Sequence, residues 1–262
     1  MPDPGLRVVT SPHKETGGSI PSLKTVLAYR LRACIGSSHW KNQNAKTGLH
    51  KSLKDSRLRE LLYAAQVAAW RAGRAIMKDR KTLMVVTTKP DNTPLTAADI
   101  EAHHIISQVL TPYGTVISEE GIFPWNERNS EEEFWLVDPL DGTKEWAAGG
   151  DDFAICISRL VKEEVQLSVT HFSALGETYS LFRGHWPRLH TNEGSSPIPN
   201  RSCLNKRWRV VTSKSTKEDP LLARLCNPHW ELDQISSCAN KLVEVATGRA
   251  DLYYNPGGKC HV

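Results

Sequence analysis

Trp135-Leu136-Val137-Asp138-Pro139-Leu140-Asp141-Gly142-Thr143 settles more about this chain than any other segment. An apolar run reads as a short strand over Phe134–Val137 that delivers Asp138 at its carboxyl end, where α/β sheets place ligand-binding groups. Pro139 favours a turn, and the turn swings Asp141 back beside Asp138. Two carboxylates so close make a seat for a divalent cation, and hard oxygen donors select Mg²⁺ over softer metals. Gly142 and Thr143 would then open a helix, where backbone N–H groups suit a phosphate. Asp, Pro and Gly are all turn formers, so the motif alone reads as a plain turn.

Two neighbouring segments favour the metal reading. Thr115–Ser118 is a second brief strand, and Glu119 and Glu120 follow it directly. Upstream, Lys89–Pro94 is rich in turn formers and reads as a loop, and Thr96 opens a helix running to about Leu110 with Ile100, Ile105, Ile106 and Val109 as its apolar positions. Thr96-x-x-Asp99 has the spacing of a capping box, and on spacing alone Asp99 reads as a cap. Glu120 reads equally as support behind a ligand or as a solvated neighbour.

Further out, Leu58, Leu61, Leu62, Ala65, Ala69, Ala72 and Ile76 recur at helical spacing behind Ser56, a suitable cap. Leu83–Thr87, Phe153–Leu160, Val165–Phe172, Thr178–Arg183, Trp208–Thr212 and Asp251–Tyr254 read as strands, and Lys217–Cys226 and Ser236–Thr247 as helices, the latter closed by Gly248. Residues 184–207 read as a surface loop. The mixture predicts an α/β or α+β fold of layered helices and sheets. The Gly-rich dinucleotide and Walker fingerprints are absent.

Folded sequence is expected from about residue 55. Residues 1–54 carry nine Lys/Arg against Asp3 and Glu15, so the head is net +7 and the remainder −3 of a total +4. Such a head is expected to be a solvated tail, with an organelle transit peptide as the alternative. The basic charge is confined there without interleaved aromatics, which argues against a nucleic-acid role. No apolar run reaches bilayer-spanning length, so no membrane partner and a cytoplasmic location are expected. The six cysteines contain no C-x-x-C pair, so free thiols are expected, and Cys260-His261 lacks the second pair that a zinc site needs.

Lys89–Asp99, Ser118-Glu119-Glu120, Trp135–Trp146 and the later Lys241–Tyr253 together resemble the inositol monophosphatase superfamily of lithium-sensitive, Mg²⁺-dependent phosphatases. The resemblance covers residues 56–262 and implies a layered αβαβα sugar-phosphatase fold. It implies that Glu119, Asp138 and the Leu140 carbonyl hold one Mg²⁺, that Asp138 and Asp141 contribute to a second, and that Thr143, oriented by Asp99, positions the attacking water. Glu119, Leu140, Asp141, Gly142 and Thr143 would also face the substrate, a small phosphate ester. Lys144-Glu145-Trp146 resembles the 3′(2′),5′-bisphosphate nucleotidase branch, with inositol or sugar-phosphate phosphatases as the alternative. A homodimer is a further expectation.

The family pattern continues after Ala-Asp-Leu-Tyr with a Trp-Asp whose carboxylate ligates metal. Here Asn255–Val262 follows instead, so the resemblance implies a fold incomplete at its C-terminus. A non-catalytic remnant that binds metal weakly or dimerises is therefore a second expectation.

Overall fold

A computed structural model describes residues 48–78, 80, 86–88, 94–121, 133–162, 164–198, 208–214 and 230–255. The expected helix at 217–226, Cys260-His261 and most of the basic head lie outside them. The described residues fall in two compact units, one covering those up to Ile198 and the other those from Trp208 to Asn255.

In the first unit, α1 (Gly48–Lys78) and α2 (Ala97–Leu110) pack on one seven-stranded sheet. Its strands follow chain order: β3 (Thr115–Ser118), β4 (Glu133–Asp141), β5 (Ala154–Val161), β6 (Glu164–Phe172), β7 (Glu177–Phe182), β8 (Arg188–Thr191) and β9 (Gly194–Pro197). The β3–β4 pair is parallel and every other pair is antiparallel. A separate hairpin joins β1 (Val86–Thr88) to β2 (Pro94–Thr96).

The pattern of α1 explains its packing. Leu58, Leu61, Ala65, Ala69, Ala72 and Ile76 are buried at helical spacing, and the run of alanines lets neighbouring elements come close. Gly73 has the same effect, since a Cβ there would lie 2.8 Å from the His171 ring on β6. From the sheet side, Trp135 and Val137, Ile155 and Ile157, and Leu167 and Val169 alternate into the same core, as a pleated strand requires.

Several boundaries differ from expectation. Helix α1 begins at Gly48, ahead of residue 55, because the helical backbone continues upstream of the apolar periodicity that revealed it. Of the expected positions, Ile106 is buried and Ile105 and Val109 pack partly buried on the core, but Ile100 is 36% exposed, and Ala98, Ala102 and Leu110 complete the buried stripe of α2. The expected loop 184–207 contains the β8–β9 hairpin, whose β9 is exposed throughout and so lacks the alternation that betrays a strand.

The second unit holds a parallel three-stranded sheet in the order β11 (Trp230–Ile235), β10 (Trp208–Ser213), β12 (Leu252–Tyr254), with α4 (Cys238–Ala246) beside it. Strand β11 escaped the sequence reading because Glu231, Asp233 and Gln234 interrupt any apolar pattern. Among the described residues, no helix is long and apolar enough to cross a membrane.

Candidate active site

Strand β4 does not end at Val137. It runs on through Asp138-Pro139-Leu140 to Asp141, with its register against β5 shifting between Asp138 and Asp141. Pro139 has no N–H to give to a ladder, and a bulge is one of the few places where a strand accommodates it. The irregularity allows Leu140 N to donate to Asp138 Oδ1 at 3.2 Å, so the Asp138 carboxylate is held by its own strand. Asp138 and Asp141 are each only 4% exposed.

The chain then reverses through Gly142, at φ +96°, into the five-residue helix α3 (Thr143–Ala147). A Cβ at Gly142 would lie 2.8 Å from the Asp152 carbonyl oxygen and 3.2 Å from Phe153 Cα. Glycine is therefore required twice, by the left-handed backbone and by the close approach.

Asp99 serves two partners. Its Oδ2 accepts from Thr96 N at 2.7 Å and Thr96 Oγ1 at 2.5 Å, and Asp99 N returns a bond to Thr96 Oγ1 at 3.4 Å, which completes the capping box. Its Oδ1 lies 3.1 Å from Thr143 Oγ1, which also lies 3.0 Å from the Leu140 carbonyl oxygen. The cap of α2 thus also holds the first side chain of α3. Thr96 is the site residue that spacing alone assigned only to a cap.

Glu119 is the first residue past β3, and its N–H donates to the Val137 carbonyl at 3.0 Å, so its backbone runs beside Val137, just before Asp138 in β4. The Glu119 side chain is exposed. Glu120 is half-buried, with its N–H 3.4 Å from Ser118 Oγ. On α2, one turn beyond Asp99, His103 approaches the position of a Cβ at Gly121 to 3.7 Å, and burial together with the neighbouring His104 lowers its pKa.

Burying carboxylates is costly unless cations or donors compensate them. Asp138, Asp141 and the Leu140 carbonyl offer hard oxygens within four residues, and Mg²⁺ is held by one or two carboxylates and completed by water and substrate phosphate. The donor chemistry therefore fits Mg²⁺. Among the described residues, no three of His, Cys, Asp and Glu are found grouped as a metal-binding set.

The chain belongs to the inositol monophosphatase family, whose profile matches residues 57–262. It is 34% identical over 203 residues to the 3′(2′),5′-bisphosphate nucleotidase CysQ of Haemophilus influenzae, an alignment covering 75% of this chain and 76% of that protein. With CysQ of Escherichia coli K12 it shares 40% identity over 118 residues, 43% of this chain, and there it spans about half (48%) of the relative's length. The crystal structure of CysQ from Bacteroides thetaiotaomicron, a bacterial member of the inositol monophosphatase family, superposes with a TM-score of 0.61 at 27% identity, covering 73% of this chain and 78% of that one. An IMPase from Thermotoga maritima shares the fold, with a TM-score of 0.60 at 21% identity over 76% of this chain and 74% of its own.

Proposed function

We propose that this protein is a Mg²⁺-dependent phosphomonoesterase that removes the 3′-phosphate of 3′-phosphoadenosine 5′-phosphate or a related bisphosphate. One observation carries the reading: the Thr143 hydroxyl sits between the Asp99 carboxylate and the Leu140 carbonyl, directly beyond the buried Asp138 and Asp141. The choice of substrate rests on the nucleotidase relatives and on Lys144-Glu145-Trp146.

Asp138, Asp141 and the Leu140 carbonyl would hold the cation, with Glu119 within the same strand-end region. Mg²⁺, when bound, supplies Lewis acidity and neutralises charge at the phosphoryl oxygens. A hydroxyl has one proton and two lone pairs. With its proton given to Asp99 Oδ1 or to the Leu140 oxygen, Thr143 Oγ1 is left to accept from a water and aim it at phosphorus. The water oxygen forms the new P–O bond and releases a proton, the ester P–O bond opposite breaks, and the departing oxygen takes a proton in exchange, so that one water gives the alcohol and inorganic phosphate. The Gly142 and Thr143 backbone N–H groups would face the phosphate.

The test is phosphate release by the purified chain from 3′-phosphoadenosine 5′-phosphate, inositol 1-phosphate and fructose 1,6-bisphosphate, with Mg²⁺ and with chelator. The expected result is chelator-sensitive release that favours the nucleotide by about tenfold or more in kcat/KM. Preference for the inositol or sugar phosphate assigns the other phosphatase branch. Release from none of them leaves a non-catalytic protein that binds metal or dimerises.

A further inference from the structure

Arg80 lies beyond the end of α1, far in sequence from the strand-end carboxylates, yet it grips the end of α3 and the loop that follows it. Its Nη2 donates to the Trp146 carbonyl at 2.9 Å and to the Gly150 carbonyl, and its Nη1 lies 3.3 Å from Asp151 Oδ1. The guanidinium also stands over the rings of Trp146 and Phe153, 5.6 Å from each centroid. Both rings are fully buried. The Asp151 side chain is 69% exposed, so that ion pair is screened and contributes least. What remains is a planar cation held by carbonyls on its edge and aromatic rings on its face, a geometry that lysine does not reproduce.

The gripped groups connect directly to Thr143. The Trp146 carbonyl lies in the last turn of α3, the helix whose first residue is Thr143, and it also accepts from Ala148 N and from Gly149 N at 3.0 Å. A cation at that end satisfies helix carbonyls that have no partner within the helix. The other end of α3 hangs from Gly142, which has no free space against Asp152 and Phe153 of the same loop. A shift of residues 146–153 therefore carries Gly142 with it and moves Thr143 Oγ1 relative to Asp99 Oδ1.

We propose that Arg80 is a positioning residue that locks α3 and the 146–153 loop and thereby sets the Thr143 hydroxyl between Asp99 and Leu140. Its catalytic consequence rests on the phosphatase reading above; its effect on the loop does not.

The experiment pairs kinetics with amide exchange on the full chain. In the presence of Mg²⁺, Arg80→Ala is expected to lower kcat about tenfold while KM changes less than about twofold, the signature of an interaction that matters in the transition state. In a Thr143→Ala background the same change is expected to cost less than about twofold further, because the two residues act through one hydroxyl. Equal losses in both backgrounds, or an unchanged kcat, overturn the proposal. Hydrogen exchange by mass spectrometry reads the loop without turnover. Amides of residues 143–150 should exchange about tenfold faster in Arg80→Ala, with β6 and β7 unchanged; unchanged exchange at 143–150 overturns the proposal even if the parent chain hydrolyses nothing. If Arg80→Ala does not fold, Arg80→Gln, which keeps one donor, is measured in the same way with the same outcomes.

Discussion

Asp99 and Thr143 are 44 residues apart in the chain and meet at 3.1 Å, one oxygen of the carboxylate on the Thr143 hydroxyl and the other on the cap of α2. A single buried side chain thus fixes a helix start and aims the hydroxyl at which attack is organised. Removing either partner should have separable effects. Thr143→Val is nearly isosteric and should leave the melting temperature almost unchanged while kcat falls about a hundredfold, the scale of a lost proton-handling group. Thr143→Ser should retain most of the rate. Asp99→Asn should lower kcat similarly and also cost about 1 kcal/mol of stability, as loss of a helix cap does. Thermal melts alongside turnover decide it: full activity in Thr143→Val removes Thr143 from the mechanism.

Gly142→Ala should be among the most damaging single-methyl changes in the chain. The residue sits at φ +96°, and the new Cβ would press on the Asp152 carbonyl at 2.8 Å, a backbone atom that cannot rotate away. Strain in the left-handed region alone is worth about 1–2 kcal/mol. Urea unfolding should show at least that loss, and hydrolysis should fall as Thr143 is displaced. An unchanged midpoint would mean that the 142–153 turn adapts freely.

The sequence made much of this visible, and the physics explains where it stopped. Thr96-x-x-Asp99 is legible because a capping box is local, three residues in register with a helix turn. That Asp99 also reaches Thr143 is not local, and only the recognised motif order suggested it. The seven apolar positions of α1 were legible because helical periodicity is strong; none of them is exposed, and six are buried. The continuation of β4 through Pro139 was hidden because proline is a strand breaker unless a bulge accepts it, and a bulge leaves no signature in one sequence. Arg80 was invisible for another reason. Its carbonyl partners Trp146 and Gly150 contribute backbone, and backbone acceptors exist at every position.

Asp138→Asn should abolish Mg²⁺-dependent hydrolysis, because this residue carries the most central of the proposed metal contacts. The amide keeps the size and can still accept from Leu140 N, so the fold should survive while a negative charge is lost from the cation seat. A loss of about a thousandfold or more in rate is expected, together with weaker Mg²⁺ binding by titration calorimetry. Chelation should inactivate the parent chain to the same level, and Mg²⁺ should restore the parent alone. Comparable rates for both proteins would end the assignment of metal to this strand end.

Acid should loosen the packing of α1 against the sheet, through His171. This histidine is 5% exposed on β6, with Nδ1 2.9 Å from Thr178 Oγ1, and its ring closely faces Gly73 of α1. Burial lowers its pKa from 6.5 to about 4. The neutral ring is therefore the one the fold accepts. Above pH 6.5 it is neutral both folded and unfolded, and it contributes no pH dependence. Between pH 6.5 and 4 the unfolded chain takes up a proton that the folded chain refuses, so stability falls as pH falls, by about 2 kcal/mol at pH 5. Burial also lowers His103 and His190, so they act in the same direction. The difference between the parent chain and His171→Asn isolates one group. Asparagine keeps a polar partner for Thr178 and cannot be protonated, so the variant should be less stable at pH 7.5 but lose about 2 kcal/mol less on going to pH 5. Urea midpoints at the two pH values measure this directly, and parallel losses in the two proteins would show that the His171 ring accepts its proton in place.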